Sequence, residues 1–597
     1  MASTVTVTPE PAVLEALQRA ADYAFEKVDQ STGHWCGELK SNVTITSEYI
    51  FLRQAFGLSL DADREAYRSY LLSEQNPDGS WSIAPGVLGD VSTTAEAYLA
   101  LKILGVSTEK SPEMQRAREA VLRLGGIAKI RVFTRIFFAT FGLFPWQAVP
   151  QLPVELILLP SASPINIYKL ASWARSTIVP LLLVCHHQPI YPLPNGTSPQ
   201  NDYLDELWLN PEQKMVPYAP PLQNLVWSGG FIDIFFTAVD NILATLGGLR
   251  WVPLLRSYAR RQCVKWILDR QEPSGDWAGI FPAMHGGIYG LMAEGFDIDS
   301  SPIRRGIQAL ENFAWQDAVG KRIQACVSPV WDTALMSVAL CDSELPRDAR
   351  LTEHLDRALD WLKGQQKLGP EGDWRVYRPE LTPGGFTFEI HNSWYPDVDD
   401  TAVVILGLVK QDPRAVTLPT VTRAQEWILG MQNRDGGWAA FDHQNNALWL
   451  NKIPFSDMGS LCDPSTADVT GRIIECFGIL LQSYSEKHTV SGAAARLRIA
   501  SRRAIDFLVE TQEDNGSWFG RWGVNYIYGT SNVLNGLKYF VDIDKRVPAL
   551  VASAVRWLKS VQNPDGGWGR QWPATQTRQK PERAHHHRLR RPGHSWH

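Results

Sequence analysis

An all-α fold of two α/α-barrel (toroid) domains is predicted by two features of the 597-residue sequence: a recurring helix-to-turn segment, and the scarcity of strand patterns between its copies. In each copy an apolar helix ends in Gln and is followed by a Gly-x-Trp turn. Clear copies close on Gln75 with Gly79 and Trp81, Gln271 with Gly275 and Trp277, and Gln366 with Gly372 and Trp374. Three more close on Gln432 with Gly436 and Trp438, Gln512 with Gly516 and Trp518, and Gln562 with Gly566 and Trp568. A degenerate copy runs from Phe25 through Gln30 to Trp35. A unit repeated this way marks helices stacked so that each covers its neighbour. The Gln amide can satisfy backbone groups left open at a helix end, and the Trp ring can cover the next helix.

Between copies, residues 93–105 and 401–410 read as helices stopped by Gly or Pro. Copies are sparse between Gln75 and Gln271, where two apolar regions (137–159 and 225–249) and the Pro-rich residues 189–221 lie, and dense from Gln366 onward. This spacing predicts a regular barrel of residues 1–38 and 325–570, interrupted by a less regular helical domain of residues 39–324. Neither apolar region reaches the roughly 18 uninterrupted residues of a spanning helix. Residues 225–249 fit an amphipathic helix lying in one leaflet, or a core helix with Asp233, Asp240 and Asn241 on a polar stripe.

Residues 384–402 carry the chemistry. Asp397, Asp399 and Asp400 lie behind Phe386, Phe388, Trp394, Tyr395 and Pro396. Pro396 disfavours helix at Tyr395, and the apolar run 402–409 that follows is a buried helix, so the aspartates sit at a helix N-terminus, where negative charge is favoured. Three acids so close cannot all ionise cheaply in a low-dielectric cleft, so at least one holds its proton and the group titrates as a unit. Three readings stay open on pattern alone: Asp397 caps the helix and the others lie on a wet first turn; the cluster binds a magnesium diphosphate; or it is a general acid. The usual Asp-Asp-x-x-Asp spacing is absent, since position 403 is Val.

Composition narrows the class. The chain is 44% hydrophobic and 20% charged, which is globular, and its 23 Trp, 22 Phe and 17 Tyr serve as core filler or as cation-stabilising walls. A net charge of −5 excludes a nucleic-acid partner. Seven scattered cysteines without Cys-x-x-Cys point to a reducing compartment, with no disulfide frame and no zinc site. The N-terminus lacks a basic-then-apolar signal, so the Asn42, Asn195 and Asn515 glycosylation patterns are set aside.

With the repeats and residues 397–402 together, the chain resembles the squalene-hopene cyclases, class II triterpene cyclases with two α-barrel domains, from about residue 20 to Trp568. The resemblance implies cyclisation of squalene to hopene- or hopanol-type triterpenes, started by a proton and needing neither metal nor cofactor. It implies Asp399 as the acid, with Asp397 and Asp400 as polarising neighbours and Asp468 and Arg472 beside them. Trp331, Phe388, Trp173, Phe441, Trp438, Trp522 and Tyr528 match aromatics that stabilise cations along the cavity, and Glu48, Glu96 and Arg131 match a pocket whose water removes the last proton. Residues 227–246 resemble a membrane-dipping helix. The implied protein is monotopic, on the cytoplasmic side of a membrane, and a homodimer is left open.

Three positions depart from the family pattern. Arg472 stands where a family member has a His bonded to the acid; a fixed cation there strengthens the acid but cannot relay a proton. Phe441 replaces a Tyr, and Phe281 replaces a Gln of the water pocket. The basic, His-rich residues 571–597 match nothing upstream and read as a wrong frame or as a basic membrane-binding tail, so the chain as written is expected to be inactive or nearly so. The rival functions are an oxidosqualene cyclase, a diterpenoid or meroterpenoid class II cyclase, and a catalytically dead lipid-binding remnant. The first resembles Asp-Cys-Thr-Ala at the acid, where this chain has Asp399, Asp400, Thr401 and Ala402.

Overall fold

The computed structural model describes residues 11–150, 152–216, 253–343, 345–453, 460–486 and 492–569. Helices dominate, and the one sheet among the described residues pairs Ala314–Gln316 with Lys321–Ile323. Residues 225–249 and 571–597 lie outside the described residues.

Each repeat is a set of hydrogen bonds. The Gln amide donates to the carbonyl of the turn glycine and to a carbonyl of the α-helix after the next: Gln75 to Gly79 (3.0 Å) and Glu113 (2.9 Å), Gln432 to Gly436 (2.8 Å) and Ala500 (2.9 Å). Gln271 and Gln512 repeat the pattern. The indole N–H turns back to the helix it follows: Trp81 to Leu71, Trp277 to Ile267, Trp438 to Ile428 and Trp518 to Leu508, each at 2.8 Å. Carbonyls that a helix end leaves open are thereby paired. The ring also packs on the two helices that follow, since a Cβ would lie 3.3 Å from Trp277 at Gly287 and 2.7 Å from it at Gly306.

The third copy has a different register from the one its sequence predicts. Gln366 donates to Gly384 (2.8 Å) and Thr420 (2.9 Å), and the Lys367 N–H meets the Gly385 carbonyl at 2.9 Å. The turn is therefore 384–386, with Phe386 in the tryptophan position and residues 367–383 inserted before it. Gly372 and Trp374 fit the sequence pattern but belong to the insertion.

A threonine on a neighbouring helix fixes the height of five of the turns. The backbone N–H of Trp35, Trp81, Phe386, Trp438 and Trp518 donates to the hydroxyl of Thr333, Thr94, Thr401, Thr470 and Thr530 respectively, at 2.9–3.1 Å. Four of these helices, Pro329–Asp342, Val398–Gln411, Ala467–Glu486 and Tyr526–Leu537, pack side by side in sequence order. Ala349–Gly364, Pro419–Met431, Gly492–Thr511 and Val547–Ser560 pack outside them. Because the threonines are in register, the residues two positions before them, Trp331, Asp399, Asp468 and Tyr528, occupy equivalent first-turn positions at one end of the inner layer.

One buried core extends from Val43 to Ile323 and another from Val330 to Ala554. Ala21, Phe25, Val28 and Trp35 pack on Leu340, Leu351, Leu355 and Ala358, while Tyr395, Leu450, Leu461 and Cys462 join the first core.

At Gly436 φ is +93° and a Cβ would lie 2.2 Å from the Arg503 carbonyl oxygen. Gly436→Ala is expected to cost at least about 2 kcal/mol through strain and clash. A clear drop in the thermal unfolding midpoint tests this; an unchanged midpoint contradicts it.

Candidate active site

Asp397 is the N-cap of helix Val398–Gln411, and its Oδ1 accepts the Asp399 and Asp400 N–H groups at 2.6 and 2.9 Å. The capping reading is thus right for Asp397. Asp399 and Asp400, however, are 6% and 1% exposed, so the first turn is not wet. Burying a carboxylate is costly, and the group responds by holding its proton. Burial, then the charge of Asp399, raises Asp397 well above the usual carboxylate range, and burial with Asp397, Asp399 and Glu389 does the same to Asp400. Asp399 is lifted only to about 6, because burial is opposed by the Arg472 charge.

Arg472 Nε lies 2.7 Å from Asp399 Oδ1, an ion pair too bent for a linear hydrogen bond. Its Nη2 donates to both Tyr528 Oη (3.2 Å) and Asn532 Oδ1 (3.3 Å), and its guanidinium stands 5.0 Å from the Trp331 ring centroid. Trp331 lies 6.2 Å from Phe388. Asp468 accepts the Arg521 and Trp522 N–H groups at 2.8 and 2.9 Å, so it fixes a loop and raises Asp399 by its charge. Asp397, Asp399, Asp400, Asp468, Arg472, Trp331, Phe388 and Tyr528 therefore form one connected group.

Trp173, Phe441 and Trp522 form a second group, edge to face, at 5.4–6.0 Å between centroids. Half-buried faces of Trp173 and Phe441 could meet an apolar ligand or a cation. Trp438 does not join them. Fully buried beside Phe477 at 5.7 Å, it makes the indole bond of the other repeat tryptophans and serves the core, which corrects the expectation of a cavity role.

The third group lies in the first core. Glu48 and Glu96 interact electrostatically with each other and with Arg131, and burial raises both, Glu96 to about 7. Arg131 is exposed and pairs with Asp90 at 3.4 Å. Phe281 is fully buried and stacks on His285 at 5.1 Å, so its ring seals the group rather than lining an open pocket.

Two features escaped the sequence reading. Glu389, a fourth acid, is buried behind Asp397 and Asp400 and raised to about 8; it lay within residues 384–402 without a partner spacing to mark it. Arg175, 1% exposed, joins Asp373 (2.8 Å) and Asp442 (2.6 Å), and Arg270 also pairs with Asp373 (2.5 Å). Burial alone would raise Asp373, but Arg270 and Arg175 outweigh it and hold it low. The network braces Trp173 and Phe441, the neighbours of Arg175 and Asp442, and no sequence signal links residues so far apart.

A model of the squalene-hopene cyclase N-terminal domain matches residues 17–318, and one of the C-terminal domain matches residues 327–586. The second match extends past Trp568, where the resemblance was expected to stop. The squalene hopane cyclase afumA of Aspergillus fumigatus is 52% identical over 93% of this chain and 77% of that protein. The squalene–hopene cyclase of Alicyclobacillus acidocaldarius subsp. acidocaldarius is 40% identical over 88% of this chain and 79% of its own. A terpene cyclase-glycosyl transferase fusion protein, fsoA of Humicola fuscoatra, is 50% identical over 93% of this chain, which spans 42% of the fusion.

Since Arg472 pulls Asp399 down, Arg472→Met is expected to raise the Asp399 titration toward those of Asp397 and Asp400. Infrared difference spectra against Asp399→Asn, followed with pH, report its carboxyl stretch. A midpoint that stays near 6 in Arg472→Met contradicts the ion pair.

Proposed function

The chain belongs to the squalene-hopene cyclase family, and we propose that it catalyses the proton-initiated polycyclisation of squalene to hopene- or hopanol-type triterpenes. The observation that carries this reading is a buried carboxyl at a helix N-terminus, whose burial lets it keep its proton to higher pH than a free carboxyl, backed by a fixed cation. Asp399 donates its proton to the terminal alkene; the alkene electron pair forms the new C–H bond, and the cation passes to the next double bond. Arg472 stabilises the carboxylate left behind, which is how a carboxyl becomes strong enough for an alkene. Protons held on Asp397, Asp400 and Glu389 recharge it. Asp468 positions the 521–522 loop.

Trp331, Phe388 and Tyr528 face the first cations and Trp173, Phe441 and Trp522 later ones, each aromatic face contributing about 0.5–2 kcal/mol. Glu48, Glu96 and Arg131, sealed by Phe281, hold the water that ends the reaction. The substrate enters from the cytoplasmic side of a membrane on which the protein is monotopic. Supporting this, Leu254, Leu255 and Tyr258 are exposed at the start of helix Pro253–Asp269, which packs on Val154–Leu158 beside exposed Leu159. A homodimer rests on the resemblance alone. The catalytic unit comprises residues 1–38 and 325–570 and the inserted unit 39–324, supported by the packing of Phe25 and Trp35 on Leu340 and Leu355.

Asp399→Asn removes the proton and keeps the volume, so squalene turnover is expected to fall at least about 10²–10⁴-fold with an unchanged fold. Because the acid form of Asp399 is required, wild-type turnover falls as pH rises through about 6, toward roughly tenfold per unit. Mass spectrometry of products from squalene and from oxidosqualene checks both. Wild-type turnover by Asp399→Asn, or consumption of oxidosqualene but not squalene, overturns the proposal.

A further inference from the structure

His285 lies on helix Phe281–Ala293, fully enclosed, and its Nε2 is 3.1 Å from the Glu48 carbonyl oxygen. A carbonyl oxygen only accepts, so Nε2 carries the proton and donates. Burial pushes the imidazole down to about 3, so the ring is neutral and Nδ1 is a bare lone pair. That Nδ1 is buried without a hydrogen-bond partner, as are Tyr289 Oη and Glu96 Oε2. An unpaired buried acceptor costs about 1–3 kcal/mol, so three in one cluster call for an occupant.

The surroundings fix the ring. Phe281 stacks on one face at 5.1 Å, Phe137 meets it edge-on at 4.8 Å, and the Tyr289 ring lies 4.8 Å away. Phe137 is one turn from Thr134, whose hydroxyl donates to Glu96 Oε1, and both follow Arg131 at the start of helix Val132–Ala139. The imidazole therefore belongs to the Glu48, Glu96 and Arg131 group. Phe281, one turn before His285, offers no polar atom where the resemblance implies a Gln.

We propose that His285 is the positioning residue for the terminal water, its Nδ1 accepting one water O–H and so directing the water oxygen at the last cation. This rests on the cyclase reading above. Two outcomes then compete at the oxygen. It can take a proton from the carbon beside the cation, whose C–H electron pair becomes C=C, or it can bond to the cationic carbon. In the first case the hydronium passes its proton to the ionised form of Glu96, which titrates near 7 and is the more readily ionised of the pair, and the water is regenerated; in the second the proton of the new oxonium goes to the same group, leaving an alcohol.

The tautomer supplies a discriminating test. His285→Asn keeps an acceptor at the δ position, whereas His285→Gln keeps only a group at the ε position. With squalene, Gln and Leu variants are expected to shift the alkene-to-alcohol ratio about 3- to 10-fold against alcohol, the weight of one hydrogen bond, and Asn to stay near the wild-type ratio. Total squalene consumed should change less than the ratio in all three. An unchanged ratio in the Gln variant, or equal shifts in Asn and Gln, overturns the proposal in favour of simple packing. No pentacyclic product from the wild type instead overturns the cyclase reading beneath it.

Discussion

The interaction on which the site depends is the ion pair between Asp399 and Arg472, closed within a cluster of buried acids. Without Arg472 the cluster would hold its protons too tightly to donate them, since burial raises Asp397, Asp399 and Asp400 alike. With Arg472, one member is distinctly more acidic than its neighbours. The readiest donor stands next to a store of weaker acids, because Asp397 is committed to capping the helix and at Asp400 burial and the neighbouring acids outweigh the Arg472 charge.

The repeat places that cluster. Its threonine bonds set successive inner helices at one height, and the residues two before Thr333, Thr401, Thr470 and Thr530 become Trp331, Asp399, Asp468 and Tyr528. A structural device that pairs helix-end carbonyls thereby collects an acid, its charge partner and two aromatics at one end of a barrel. Asp90, whose side chain caps Val91–Ile103, stands to Thr94 as Asp397 does to Thr401. The same cap that carries two acids in one unit carries Ser92 and Thr93 in the other, beside Arg131.

Much of this was legible in the sequence. The Gln and Gly-x-Trp spacing gave the helical layers, because each residue type has a single backbone task that only it performs well. Pro396 and the apolar run after Ala402 placed the aspartates at a helix N-terminus. The third repeat was misread because Gly372 and Trp374 satisfy the pattern by coincidence inside an insertion, and only the hydrogen bonds of Gln366 and Phe386 reveal the true register. Trp438 was misread because an indole looks the same in a core as in a cavity. His285 and the Arg175 network left no local trace, since a tautomer and a buried ion pair are set by groups distant in sequence.

In this mechanism a proton from an exchangeable carboxyl enters the product. Cyclisation of squalene in deuterium oxide tests it most directly. One deuterium per alkene product is expected, on the ring methylene next to the gem-dimethyl carbon, because addition there leaves the more substituted cation. Cyclic product without deuterium at that carbon would contradict it.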